Sequence, residues 1–587
     1  MRRKTRLVAL TIVPFAWGCW GGPTQKVDGA DPVEAALTTA DEYVSAYFDH
    51  FPEEAFEAGF PDAPADRFSD RSSGAFAVWH EREDAWLERL AAIDLGALAG
   101  TDAATPYAYA RERLEASRAM RACRMPLWNV SPSSTGWPAL MAMSFANQPV
   151  ATPEDRTAIL ALARDAARFL DTELENLTEG LQSGFTAPVP NVEAVLGLID
   201  EILDAELEAT PFWSPAERDE SGELAEALRD VVEDEIRPAI RRLRDFLAGP
   251  YRDGAREAIG VDANPDGAEC YRAAISFHTT LSLSPDDIHQ NGLDRMKDIE
   301  TEMVEITRRR FGTDDVPAVL ERLRSEREFT FGSEEEVLEF VHAAIDRARV
   351  ATPRWFGAVP KSKVVVRPYP AYQQRTGGGF YSAGGPDAPG VYELGTHEPE
   401  KLPRAGLEAT TFHETYPGHH LQSKVALERP GLHPVLKFFY NSGMGEGWAL
   451  YSERLADEMG LYSDDVDRLG MLSNEAFRAA RLVIDPGMHA LGWSRQQAVE
   501  YMLTHTAESE SSVEYEVNRY LAVPAQATAY LTGSLEIQRL RAEAEARLGE
   551  KFDIRDFHDR VLEDGTITLG MLGDKIETWI TAQADAE

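Results

Sequence analysis

Four of the chain's 13 histidines, His413, His419, His420 and His433, fall within 21 residues, where composition alone would place roughly 0.5. The stretch reads Thr411-Phe412-His413-Glu414-Thr415-Tyr416-Pro417-Gly418-His419-His420-Leu421-Gln422, and Gly445-Glu446-Gly447-Trp448-Ala449-Leu450-Tyr451-Ser452-Glu453 follows it. Imidazole nitrogens and carboxylate oxygens suit zinc, and three protein ligands leave the fourth position open for water. In His-Glu-x-x-His the two imidazoles share one helix face, and the glutamate between them handles the proton of the activated water. Here Pro417 stands where the second histidine would be. Proline removes a backbone donor and Gly418 loosens the next turn, so the helix must deform. A bulge there would return His419 to the metal. In an undeformed helix His420 would share the face of His413 instead, about 10 Å further along, and it stands as the alternative. Glu446 is the candidate third ligand. Glu453, seven residues on and on about the same face, either orients a histidine or is the ligand itself. The histidine–acid pairs at His80, His397 and His558 lie outside the cluster and read as ordinary.

Most of the chain that must position these groups reads as helix. Leu224, Leu228, Val231, Ile236, Ile240, Leu243 and Leu247 recur at helical spacing, as do Leu293, Met296, Ile299, Met303 and Ile306. Ser284-Pro285-Asp286-Asp287 combines a capping hydroxyl, a proline at the first helical position and acids in the first turn. One region differs. Val364-Val365-Val366 is β-branched, and Gly377-Gly378-Gly379-Phe380-Tyr381 and Gly390-Val391-Tyr392-Glu393-Leu394 follow, with Pro386 and Pro389 between them. That pattern predicts a small sheet in a mostly α protein. The change near residue 355 divides a helical lobe, 32–355, from a region holding the sheet and the histidine cluster, 356–587.

The chain has 587 residues, a length for about four domains or one unusually large one. Its net charge of −40 argues against a phosphate backbone as natural partner. Arg2, Arg3, Lys4 and Arg6 precede an apolar stretch from Leu7 to Trp17, too short to span a bilayer and suited to a signal peptide. It ends in Ala16-Trp17-Gly18-Cys19, similar to a bacterial lipobox, in which Cys19 would be lipidated; ordinary cleavage is the alternative, with Trp17 unusual in such a box. Residues 1–19 are therefore expected to direct export and 20–31 to form a tether, placing the protein in the periplasm or cell envelope, with membrane contact through Cys19 alone. The remaining cysteines, Cys123 and Cys270, form either one disulfide or two buried thiols.

The cluster His413-Glu414-x-x-Pro417-Gly418-His419-His420-Leu421-Gln422, with Glu446-Gly447-Trp448-Ala449-Leu450-Tyr451-Ser452-Glu453, resembles the bacterial domain-of-unknown-function family numbered 885. The resemblance extends to Arg481-Leu482-Val483-Ile484-Asp485-Pro486-Gly487-Met488-His489-Ala490 and to Glu516 through Ala527, where Pro524-Ala525-Gln526 replaces the family's usual Pro-Gly-Gln. That family is grouped with the zincin peptidases whose third ligand is a glutamate. The resemblance implies a large helical zincin-like metallopeptidase fold with a small sheet beside the active site. It also implies one zinc ion on His413, His419 and Glu446, with Glu414 as general base passing a proton from water to the leaving amine. Tyr520, Arg519 and His489 are the candidate donors to the oxyanion, in that order. Arg519 has a second possible task, binding a substrate carboxylate through two parallel hydrogen bonds. The strand region Phe380–Leu394 is a candidate dock for an extended peptide. The expected activity is a zinc-dependent peptidase or amide hydrolase acting on short peptides or small amides, cell-wall peptides included. The alternative is a binding or scaffolding lipoprotein that keeps the fold without turnover.

Overall fold

A computed structural model describes residues 31–585 apart from 62, 134 and 370–377. The expected signal peptide, its lipobox-like end and nearly all of the tether lie outside the described residues, as does Gly377. Helix takes 72% and strand 3%, so the mostly α expectation holds, small sheet included. Among the described residues no helix is long and apolar enough to cross a membrane.

The N-terminal half contributes α1 (Pro32–His50), α2 (Ser73–Ala91), α3 (Ala104–Met120), α4 (Pro153–Ser183), α5 (Val189–Asp204), α6 (Gly267–Thr279), α7 (Pro285–Phe311) and α8 (Glu334–Ala351), joined by shorter helices. Local chemistry sets their ends. Ser284 and Asp287 form the reciprocal capping box at the start of α7, and Arg308, Arg309 and Arg310 place positive charge in its last turn. The stripe from Leu224 to Leu247 is buried throughout, as are Met296, Ile299, Met303 and Ile306.

The sheet follows: β1 (Val364–Pro368), β2 (Gly379–Ser382) and β3 (Gly390–Leu394), in spatial order β1-β3-β2. β1 runs parallel to β3 with Val364 opposite Gly390, and β2 runs antiparallel with Gly379 opposite Leu394. The remaining helices used below are α9 (Leu407–Glu414), α10 (His419–Glu428), α11 (Ser442–Glu458), α12 (Asp465–His489), α13 (Glu510–Ala522) and α14 (Ala529–Leu548).

Three apolar cores hold these layers. One joins Tyr43 and Trp86 to Phe412, Trp448 and Tyr451, so helices from both ends of the chain close around the histidine cluster. A second packs α6 and α7 against α12 and α13, and a third lies within residues 68–251. The first two cores draw residues from both sides of position 355. Cys123 and Cys270 are joined in a disulfide inside the second. Where α11 crosses α14 the backbones nearly touch: a Cβ on Gly533 would lie 1.8 Å from the Gly443 carbonyl oxygen. That crossing fixes the helix that carries Glu446.

Candidate metal centre

The sequence predicts a bulge inside one helix at Pro417; the structure instead ends α9 at Glu414 and begins α10 at His419. Thr415 leaves helical geometry, the Tyr416–Pro417 peptide is cis, and the Gly418 N–H donates back to the Phe412 carbonyl at 3.0 Å. This reversal presses Gly418 against the preceding helix so closely that a Cβ there would sit 1.9 Å from the His413 carbonyl oxygen. The turn thus sets the last residues of one helix against the first residue of the next. From α11, the Trp448 indole N–H donates to the Pro417 carbonyl at 3.0 Å, and the Gln422 amide donates to the Met444 carbonyl at 3.3 Å. These bonds lock α11 to the turn.

Three ligand atoms converge as a result. His413 Nε2 lies 3.6 Å and His419 Nε2 3.5 Å from Glu446 Oε2, and all three side chains are largely buried. Among the described residues, His413, His419 and Glu446 offer ligand atoms within 4.8 Å of one another. Zinc bonds of about 2.0–2.2 Å in a tetrahedron put neighbouring ligand atoms about 3.3–3.6 Å apart. The observed separations fit that edge and are long for hydrogen bonds. The far sides of both rings fit as well. His413 Nδ1 is 2.9 Å from Glu453 Oε1, and His419 Nδ1 is 3.4 Å from Gln422 Oε1. With each Nδ1 facing an acceptor, the neutral form of each ring keeps its N–H there, and its Nε2 lone pair then faces the shared centre. Glu453 is therefore placed to orient His413, and Glu446 could offer the third ligand atom. The donor set suits zinc.

Electrostatics agree. Burial opposes charge on His413, but the Glu446 and Glu453 carboxylates outweigh it and raise its pKa to about 9. Burial would raise Glu446, yet the two imidazoles hold it well below the usual carboxylate range. Glu414 is buried beside them, and burial pushes its pKa up.

His420 turns the other way. Its Nδ1 meets the Tyr381 hydroxyl of β2 at 3.0 Å, and its Nε2 lies 3.1 Å from both the Ser362 carbonyl and the Tyr416 hydroxyl. Burial lowers its pKa to about 4, so it is a neutral pin between the sheet and the turn. The sheet does sit beside the cluster, but β3 pairs on both sides, so among the described residues β2 is the edge strand of the Phe380–Leu394 region.

The proposed oxyanion donors are placed differently from expectation. His489 is fully buried, accepts the Val261 N–H at Nδ1 and bonds the Tyr520 carbonyl at Nε2, each at 3.0 Å. Both nitrogens hold backbone, and burial lowers its pKa to about 3 although the bond to the Tyr520 carbonyl works against that. The Tyr520 hydroxyl donates to Glu516 at 2.6 Å and accepts from Arg481 at 2.8 Å, so its proton is already committed. Arg519 binds Glu516 and Gln526. Arg519 and Arg481 together hold Glu516 down to about 2 against the effect of burial.

Two residues not singled out by motif reasoning stand nearer the ligands. The Tyr440 hydroxyl donates to Glu446 Oε1 at 3.0 Å. Tyr530 lies under the Arg481 guanidinium, 4.5 Å from its ring centroid, and close enough to Glu446 for that charge to raise its pKa along with burial. Their signal in sequence was position alone: Tyr440 lies just ahead of the Glu446 helix and Tyr530 just after Gln526. The Ala525 backbone has φ +67°, the region that glycine occupies without strain. That accounts physically for the family's usual glycine at this place.

The comparisons agree with the architecture. No curated protein matches the chain. Solved structures do, among them the following two. A crystal structure of a candidate lipoprotein from Colwellia psychrerythraea is 26% identical, covers 93% of this chain and 99% of its own, and superposes with a TM-score of 0.83. A candidate lipoprotein of unknown function from Shewanella oneidensis is 18% identical over 92% and 99% of the two chains, with a TM-score of 0.68, a likeness of fold. The family model described as "Bacterial protein of unknown function (DUF885)" matches residues 52–576, and the chain belongs to that family.

Proposed function

We propose that this protein is an exported zinc-dependent peptidase or amide hydrolase of zincin type, tethered to the cell envelope through Cys19. The observation that carries the reading is the convergence of His413 Nε2, His419 Nε2 and Glu446 Oε2, each imidazole backed by an acceptor on its other nitrogen. The description of the Colwellia and Shewanella proteins as candidate lipoproteins supports the envelope location. In this reading residues 32–355 wall the site and 356–587 perform the chemistry.

A zinc ion here, when bound, acts as a Lewis acid and makes adjacent water acidic near neutral pH. The protein's own work is positional. Glu453 and Gln422 hold the two imidazoles in the tautomer that points Nε2 at the centre. Glu414, with its pKa raised by burial, suits both halves of proton transfer: its carboxylate takes a proton from water and delivers it to the leaving amine. Tyr530 takes over from Tyr520 as the candidate donor to the developing oxyanion, because it lies within reach of the Glu446 charge. Trp448 and Phe412 close the apolar side and exclude water there.

The test is turnover of a short-peptide library by the zinc-loaded protein and by Glu414→Gln. The expected result is cleavage by the wild type and equal zinc in both proteins. Cleavage by the variant should fall by roughly 10²–10⁴-fold. Zinc retained with no cleavage by either protein would favour the binding lipoprotein.

A further inference from the structure

We propose that the site takes peptides whose free carboxylate lies one or two residues beyond the cleaved bond, and that the Arg478 guanidinium binds that carboxylate. The inference rests on the hydrolase reading above and gives it a substrate class.

Helices α9 and α12 run side by side in parallel register. Gly470 abuts Gly406, since a Cβ on Gly470 would lie 1.9 Å from the Gly406 nitrogen. One turn on, the Asn474 amide donates to the Gly406 carbonyl at 3.4 Å and to the Thr410 hydroxyl at 3.3 Å. One further turn along both helices sets Arg478 beside Glu414. Yet Arg478 forms no ion pair with Glu414 or with any other carboxylate among the described residues, where its one hydrogen bond runs from Nη1 to the Asn474 carbonyl at 3.2 Å. Its Nε–H is buried without a partner. A guanidinium carries five N–H donors in a rigid fork, so Nη2 and the second Nη1 hydrogen are left for a planar anion.

The neighbouring arginines make the contrast. Arg481 and Arg519 both neutralise Glu516, and Arg481 is sealed between Phe477 and Tyr530. Arg478 is half-buried, therefore reachable, and is the guanidinium among these three without an acid. The task of gripping a substrate carboxylate, open to Arg519 on sequence grounds, passes to Arg478. A charge placed beside the general base reads a group close to the reacting carbonyl, because each residue of extended chain advances only about 3.3–3.6 Å. The implied activity is removal of residues from a free C-terminus, or cleavage of very short peptides.

The test compares short N-acetyl peptides in two forms, free acid and C-terminal amide, with the full-length zinc-loaded protein, Arg478→Ala and Arg478→Lys. Cleavage is read as kcat and KM. Binding to the same peptides is read by calorimetry in the Glu414→Gln background, and zinc content reports that each variant is folded. The expected wild-type preference is for acids, by roughly 10–100-fold, the worth of a charge-assisted bidentate pair. Arg478→Ala should bring the acid-to-amide ratio near one, chiefly through KM and with zinc unchanged, and Arg478→Lys should fall between. Acids and amides cleaved alike by the wild type, or a wild-type ratio kept in Arg478→Ala, would overturn the assignment while leaving the hydrolase reading intact. Failure of the zinc-loaded wild type to cleave either form would overturn that reading, and this inference with it.

Discussion

Exchanging Glu446 and Glu453 for glutamine, one at a time, separates a metal ligand from the group that aims one. The two carboxylates stand in different places: Glu446 Oε2 is 3.5–3.6 Å from both Nε2 atoms, whereas Glu453 Oε1 is 2.9 Å from His413 Nδ1, on the far side of the ring. Four-ligand structural zinc sites bind with about 10–16 kcal/mol, or about 2.5–4 kcal/mol per ligand, so Glu446→Gln should weaken zinc binding roughly 10²–10³-fold. Loss of an orienting partner costs about 10–100-fold. Glu453→Gln belongs at the low end of that range. Glu453 helps to hold a proton on His413, at a pKa of about 9 without metal, and zinc must displace that proton. Removing the Glu453 charge loosens the proton and offsets part of the lost orientation. Competition against a chromophoric chelator at fixed neutral pH measures both variants. A larger loss in Glu453→Gln than in Glu446→Gln would reverse the two roles, and wild-type affinity in both would remove zinc from this site.

Gly418→Ala should lose zinc and destabilise the protein, because the new Cβ cannot stay 1.9 Å from the His413 carbonyl and must push His419 away from His413; elemental analysis and a melting curve check both effects. Asp485, buried with its Oδ2 unpartnered, has its pKa raised to about 7, first by burial. The unfolded chain gives up that proton near pH 3.9, so this residue makes the fold less stable as pH rises from about 4 to about 7, by about 4 kcal/mol in all, with no further change above. Thermal midpoints across that window should therefore decline less steeply in Asp485→Asn than in wild type; parallel declines would contradict the assignment. Opening the Cys123–Cys270 bridge, which spans 147 residues, should lower stability by about 5 kcal/mol in the chain-entropy model, seen as a lower unfolding midpoint in reductant.

How much of this was legible beforehand depended on whether the information was local. The α7 cap was written in Ser284 and Asp287, and the buried stripes in apolar spacing, since both act within a turn or two of helix. The grouping of His413, His419 and Glu446 was legible from residue type and from the broken motif. The form of the break was not, because proline permits either a bulge or a new helix, and contacts from Trp448 and Gln422 decide between them. Choosing His419 over His420 likewise depended on Tyr381 and Ser362, far away in sequence, which hold His420 toward the sheet. Val261 and Arg481, which bond His489 and Tyr520 respectively, lie far from them in sequence, so these bonds could not be read from the motif. Tyr440 carries no motif, and only packing brings its hydroxyl to Glu446.

Crystals soaked in zinc, with diffraction recorded on both sides of the zinc absorption edge, test the central claim most directly. One anomalous peak per chain is predicted, about 2.0–2.2 Å from His413 Nε2, His419 Nε2 and a Glu446 oxygen. A fully soaked crystal with no peak there, or with its strongest peak on other residues, would contradict the account.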